Sequence, residues 1–263
     1  MDQFQPVDSE QAERFFRWVG RRVFIQEFPS RRHEIADVGY ATAALGRLAR
    51  ADSDAIFWGI NPMKENTRGV PANADIDCRR LLFLDVDHPD HDKKIPATDD
   101  GKRAACEVFR RINACLASRG WSAPAKIDSG NGPHGYWLLD LPNDEAAAVL
   151  IGDFLSAIHK RFGPLVDTAN KDARRLGRVP GTWNRRGHAT AERPHRMCRI
   201  VELPEHGELV TAEMIQGVIN DISAQEAAEP LPEKTTVRAA SGEQCRPGDD
   251  YNQRANWADI LAG

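Results

Sequence analysis

An apolar run that ends in two carboxylates, RRLLFLDVDHPD from Arg79 to Asp90, constrains the fold of this 263-residue chain more than any other stretch. Leu81, Leu82, Phe83, Leu84 and Val86 read as a buried strand. Residues two apart in a strand share a face, so Asp85 and Asp87 point the same way at its end. Like charges held that close repel each other unless a cation lies between them. The stretch therefore asks for a core around the strand and a counter-ion at its tip.

Flanking segments supply such a core. Residues 103–118 put Ala105, Val108, Phe109, Ile112, Cys115 and Leu116 on one helical face. PAKIDSG and GYWLLDL read as strands joined by a tight turn. Asn143 or Asp144 caps a second helix, with Ala147, Leu150, Phe154 and Ile158 inward, that ends near Gly163-Pro164; LVD follows as a short strand. From Leu81 to Asp167 the order is β-α-β-β-α-β, that of the ferredoxin-like or RNA-recognition-motif (RRM) split fold.

Upstream, Asp8 or Ser9 caps a helix carrying Ala12, Phe15, Phe16 and Val19 that closes near Gly20. RRVFIQEF and AIFWGINP read as strands, with a short helix from Ala41 to Leu48 between them, which makes an N-terminal α/β module. Downstream, an amphipathic helix covers Thr211 to Ile222, and residues 225–248, rich in Glu, Pro, Ala and Lys, read as a linker. The expected organisation is an α+β unit over 1–205, a helix packed on it within 206–224, and a linker with the start of a downstream segment over 225–263. No internal repeat is visible. The tail regains aromatic and apolar residues just as the chain stops, as a fragment of a longer protein would.

With 41% apolar and 28% charged residues, the composition is that of an ordinary globular protein. No apolar run approaches the roughly eighteen residues of a membrane span, and the N-terminus lacks the pattern of a signal peptide. Five cysteines without a CxxC pair read as reduced thiols, which suggests a cytoplasmic protein. The net charge of −4 conceals an asymmetry. Between Lys171 and Arg199, nine Lys and Arg face two acids, whereas from Ile200 onward four basic residues face twelve acids. A basic block of this kind in a mildly acidic chain points to a local polyanion site.

Three stretches carry candidate chemistry. Asp85 and Asp87 suit a hard, oxygen-seeking ion such as Mg²⁺ or Mn²⁺, although a DxD at a strand end also serves simply to cap a loop. In DSGNGPHGYW, the glycine turn at Ser129–Gly132 offers N–H groups to an anion, with His134 re-entering the strand beside it; a plain hairpin turn reads equally well. In LVDTANKDARRLGRVPGTWNRR, Asp167 offers a third carboxylate, and Lys171, Arg174, Arg175 and Arg178 precede Pro180-Gly181 and Asn184-Arg185-Arg186. Arginine forks phosphate oxygens, and the two tight breaks suggest a loop bent around a ligand rather than a solvated helix. Trp183 offers a stacking surface for single strands or a core residue. Together, these parts suit two divalent ions on Asp85, Asp87 and Asp167 and an in-line nucleotidyl transfer.

FLDVD, SGNGPHGYW and LVD with RRLGRVPGTWNRR also resemble the archaeo-eukaryotic primase superfamily, specifically the bifunctional primase–polymerase domain of phage and plasmid replication proteins. The resemblance runs from about Ala55 to Leu203 and includes GINP at Gly59–Pro62. It implies a primase–polymerase fold with an RRM-like core, and a catalytic set of Asp85, Asp87, His134 and Asp167. It further implies metal ligation by Asp85, Asp87 and Asp167, and nucleotide contacts from Ser129, Gly130, His134, Arg178, Asn184 and Arg186. Arg186 stands where many relatives have Lys. DNA contacts are expected from Lys171, Arg174 and Arg175, with single-stranded DNA, dNTPs or NTPs and a downstream helicase as partners. Zinc is not expected, since His188, His195 and Cys198 lack a second nearby cysteine, and no GxxxxGK[ST] motif is present.

Two other readings compete. A primase-like nucleic-acid-binding module without activity keeps the same residues. A haloacid-dehalogenase-type phosphatase also begins with FLDVD, but there a small turn follows, not His88-Pro89, and such an enzyme has no use for the arginine loop.

Overall fold

Apolar side chains of both parities along one strand need cover on both faces, and the chain supplies it. The computed structural model describes residues 7–90, 95–205 and 207–228. In chain order these form α1 (Ser9–Val19), β1 (Val23–Phe28), β2 (His33–Ala36), α2 (Val38–Leu48), β3 (Ala55–Gly59), β4 (Cys78–Asp85), α3 (Asp99–Ala117) and β5 (Ala125–Asp128). They continue through β6 (Pro133–Pro142), α4 (Glu145–Phe162), β7 (Leu176–Arg178), β8 (Trp183–Asn184), β9 (Arg196–Met197), β10 (Arg199–Glu202) and α5 (Ala212–Ala228). Short 3₁₀ turns lie at Asn73–Asp75 and Thr168–Lys171. The architecture is α+β, built on antiparallel sheets.

One sheet runs β10-β5-β6-β4 and a second runs β2-β1-β3-β7, while β8 and β9 form a small ribbon. Leu82, Leu84 and Val86 pack with Trp137 and Leu139 against α3, α4 and α5 through Phe109, Ile112, Phe154, Leu155 and Ile215. The other parity, Leu81 and Phe83 with Ala125, Ile127 and Tyr136, packs against Phe15, Ile25 and Trp58 of the N-terminal elements. Fully burying one such side chain stabilises the fold by about 1.5–3 kcal/mol. Anchored along its length on both faces, β4 can hold an unfavourable charge pair at its tip. Asp85 continues the parity of Leu81 and Phe83, so it faces the N-terminal module.

Capping residues set the helix limits. Asp8 accepts the Gln11 N–H at 3.2 Å, Thr98 that of Gly101 at 3.0 Å, and Asp144 that of Ala147 at 2.8 Å. The last resolves the choice between Asn143 and Asp144.

Several expectations need correction. The strand expected at Leu165–Asp167 is reduced to one antiparallel bridge, Val86 to Val166. His33–Ala36 forms a strand that its mixed pattern conceals. Leu176–Arg178, expected within a ligand-bent loop, is instead the edge strand of the N-terminal sheet, pairing Phe57 with Arg178 and Gly59 with Leu176. The C-terminal helix runs to Ala228, past 224, and places Ile215, Val218 and Ile222 in the core. The linker and aromatic tail read at the C-terminus lie outside the described residues from 229 onward. Among the described residues, no helix is long and apolar enough to cross a membrane.

Asn61, of the GINP stretch, ties the two halves together. Its Nδ2 donates to Ala173 O at 2.9 Å, and its Oδ1 accepts Arg80 N–H at 2.9 Å and Leu81 N–H at 3.3 Å. Asn61→Ala strips partners from buried backbone groups and is expected to destabilise the chain by about 2–3 kcal/mol, read as a lower urea midpoint at unchanged slope.

Candidate active site

Backbone pairing at the tip of β4 sets the three acids side by side. Asp167 N–H donates to Asp85 O at 3.0 Å, and Asp87 N–H donates to Leu165 O at 2.8 Å. Asp85, Asp87 and Asp167 line one cleft of about 700 Å³, together with Asp172, Arg174, Arg175 and Arg186. Burial, then the charges of Asp87 and Asp167, push the Asp85 carboxyl well above the usual carboxylate range, while Arg175 and Arg178 oppose the rise. Asp167 is engaged at both oxygens: Oδ1 accepts Ala169 N–H at 2.8 Å and Oδ2 accepts Arg175 Nη2 at 3.2 Å. Among the described residues, no three His, Cys, Asp or Glu side chains are already drawn together as a metal-holding group.

The glycine turn differs from the anion cradle expected of it. Gly130 N–H donates to Asp128 Oδ1 at 2.9 Å, Gly132 N–H to Ser129 Oγ at 3.1 Å, and Ser129 N–H to Gly132 O at 2.9 Å. Turn donors satisfied this way are not presented to a ligand. Gly132 has a different purpose, since a Cβ there would overlap Val86 O. The turn thereby lies against the strand end that carries Asp85 and Asp87. Asn184 Nδ2 donates to Ser129 O at 3.0 Å and locks the same turn.

His134 is the cross-strand partner of Asp85, and its Nε2 lies 3.4 Å from Asp85 Oδ1. It stands behind the carboxylate rather than on the cleft wall. Burial, with Arg178 adding to it, pushes the imidazole down to about 3, so the ring is neutral. Arg178 is also buried, its guanidinium 4.7 Å above the Phe57 ring. Its Nη1 has no hydrogen-bond partner among the described residues. Burial lowers Arg178 to about 10, with neighbouring Arg186 acting in the same direction.

The basic block divides into parts. Arg174, Arg175 and Arg186 face the cleft, whereas Lys171 packs over Gly152 of α4. Arg193 forks Asp90 at 2.8 and 3.2 Å, and Arg196 reaches Asp99 at 2.6 Å. Those two arginines clamp the chain after Asp87. Arg185 lies 5.6 Å over the Trp183 ring.

Some cleft residues escaped the sequence reading. Gln26 and Phe57 line the cleft with the acids, in a row across β1, β3 and β7 that continues to Arg178, which the sequence did mark. Only the pairing of distant strands reveals that row. Tyr136 Oη lies 3.2 Å from His134 Nδ1, a contact that i, i+2 spacing in GPHGYW permits but does not announce.

No family model matches the chain, and no curated protein matches it. Among solved structures, the chain is similar to the crystal structure of primase RepB′, with a TM-score of 0.50 and 16% identity over 83% of this chain. The match spans 64% of that chain, just short of two thirds. The catalytic domain of primase RepB′ in complex with initiator DNA gives a TM-score of 0.46 and 14% identity, over 84% of this chain and 98% of that one. The fold is primase-like.

Proposed function

We propose that this chain is a metal-dependent nucleotidyltransferase of the primase–polymerase kind, which joins nucleotides on single-stranded DNA. The observation that carries the reading is the pairing of opposite demands in one cleft. Asp85, Asp87 and Asp167 meet where burial, and then their mutual repulsion, raises Asp85, and Arg174, Arg175 and Arg186 line the same cleft. Such a cleft suits hard cations on one side and a polyphosphate on the other. The antiparallel order β5-β6-β4, with the Val86–Val166 bridge at its edge, supports an RRM-like core.

Mg²⁺ or Mn²⁺ would be held by Asp85, Asp87 and Asp167, whose all-oxygen donor set fits such ions. When bound, these ions supply Lewis-acid activation of a hydroxyl and neutralise charge at the phosphorus. Ligation through Asp167 would take the place of its Arg175 contact and leave that guanidinium in the same cleft for phosphate. Arg174 and Arg186 orient the triphosphate from the cleft side. Arg178, buried with an Nη1 that has no hydrogen-bond partner among the described residues, holds positive charge behind the acids where it needs no reorganisation. A DNA strand follows the basic cleft wall, with salt-sensitive affinity.

A second reading, a binding module without catalysis, is favoured by the engagement of Asp167 with Arg175 and Ala169. The decisive assay uses single-stranded templates, with and without primer, labelled dNTPs or NTPs, and Mg²⁺, Mn²⁺ or chelator. Products are expected only with metal, and the unprimed lanes distinguish primase from extension activity. Silence in every lane with DNA still bound would leave the binding module.

A further inference from the structure

Resting on the reading that a DNA strand occupies the cleft, we infer that the exposed surface of α3 and α4 around Phe162 carries that strand's backbone past the acidic end. Arg111 of α3 and Arg161 of α4 each place a guanidinium 5.8 Å from the centre of the Phe162 ring. Both arginines are exposed. Several exposed arginines elsewhere are matched to acids: Arg17 to Glu13, Arg47 to Glu34, Arg80 to Asp140 and Arg103 to Asp100. Arg111 and Arg161 make no ion pair among the described residues. Glu107, one turn back from Arg111, is already forked by Arg110 at 2.7 and 2.8 Å.

The end of α4 explains part of this arrangement. Carbonyls at a helix C-terminus favour cations, which suits Lys160 and Arg161 in the last turn. They give no reason for Arg111, in the body of α3, to reach the same ring. An aromatic face attracts a cation, but two cations on one ring repel each other unless an anion joins them. The ring also holds both forks in place, so less freedom is lost when they grip phosphate. Lying no more than twice 5.8 Å apart, they can meet neighbouring phosphates of one strand. Phe162 closes α4, and Pro164, Leu165 and Asp167 just beyond it line the cleft. Two residues span at most about 7 Å, so the patch adjoins the cleft rim. A strand crossing that rim passes from Arg174, Arg175 and Arg186 inside to Arg111 and Arg161 outside. This continuity favours DNA over an acidic protein as the occupant.

Fluorescence anisotropy of the full chain with labelled single-stranded DNA, followed against salt, tests the surface. Each phosphate contacted on a single strand contributes a slope of about −0.7 in log K against log salt. Arg111→Gln/Arg161→Gln is expected to flatten that slope by about 1.4 and to weaken binding about tenfold or more at roughly 0.1 M salt, with a melting temperature near that of the wild type. Arg14→Gln/Arg17→Gln removes the same net charge from α1 and should leave the slope unchanged. An unchanged slope in the Arg111/Arg161 variant, an equal loss in the α1 variant, or a wild type that binds no DNA would overturn the surface. Incorporation is scored separately. A wild type that joins no nucleotides while the Arg111/Arg161 variant loses slope keeps this surface and ends the transfer reading. One that joins nucleotides while the variant binds like the wild type ends the surface alone.

Discussion

Replacing Asp85 with Asn is expected to raise the melting temperature of the metal-free protein while cutting nucleotide incorporation by about a thousandfold or more. The two effects share one cause. Asp85 is half-buried at the end of β4, and its loss of solvent together with repulsion by Asp87 and Asp167 holds its carboxyl well above the usual range. The folded chain then binds that proton more tightly than the unfolded chain does. Stability from this group is greatest below the ordinary carboxylate value of about 4 and declines as pH rises towards the raised folded value. Metal-free wild type should therefore lose melting temperature between pH 5 and pH 8 relative to Asp85→Asn, which has no such proton to lose. Mg²⁺ or Mn²⁺ should restore the wild type at pH 8 and leave the variant unmoved. Parallel melting curves against pH for the two proteins, with no metal response in either, would remove the carboxylates from the metal-site proposal.

Gly132→Ala is expected to be the most damaging single-methyl change in the cleft's support. The new Cβ would overlap a backbone carbonyl, Val86 O, and lie 3.3 Å from Val86 C, so no side-chain rotation relieves it. Overpacking of this kind costs about 1–3 kcal/mol, and a site walled by backbone belongs at the upper end. At about 2–4 °C per kcal/mol for a chain of this size, a fall of roughly 6–12 °C is the measurable result. Because the turn lies against Asp85 and Asp87, incorporation should fall even at temperatures where the variant stays folded. A normal melting curve would mean that the turn can move away from β4 freely.

Local pattern made much of this legible. The faces of α1, α3 and α4, the strand tip at Asp85 and the acidic third segment at Asp167 all follow from periods of two and 3.6 and from capping residues. What escaped depends on pairing at a distance. Nothing near Leu176 says that it closes a sheet begun at Val23, and nothing near Arg193 says that Asp90 will fork it. The glycine turn misled for a local reason: Asp128 and Ser129 supply their own oxygens to the N–H groups that looked available. Its glycine instead answers a tertiary demand, the approach of Val86. Likewise Tyr136 reads as an ordinary strand aromatic until Gly177 and His134 stand beside its hydroxyl.

The placement of β7 has a consequence for synthesis of the chain. Phe57–Gly59 receives its outer neighbour only from Leu176–Arg178, more than a hundred residues later. At about 5–20 residues per second, a nascent chain shows that bare β3 edge for on the order of ten seconds before its partner leaves the ribosome. An uncovered edge is a template for other chains. Polypeptides cut between Asp167 and Leu176 carry Asp85, Asp87 and Asp167 and still offer that edge to their neighbours.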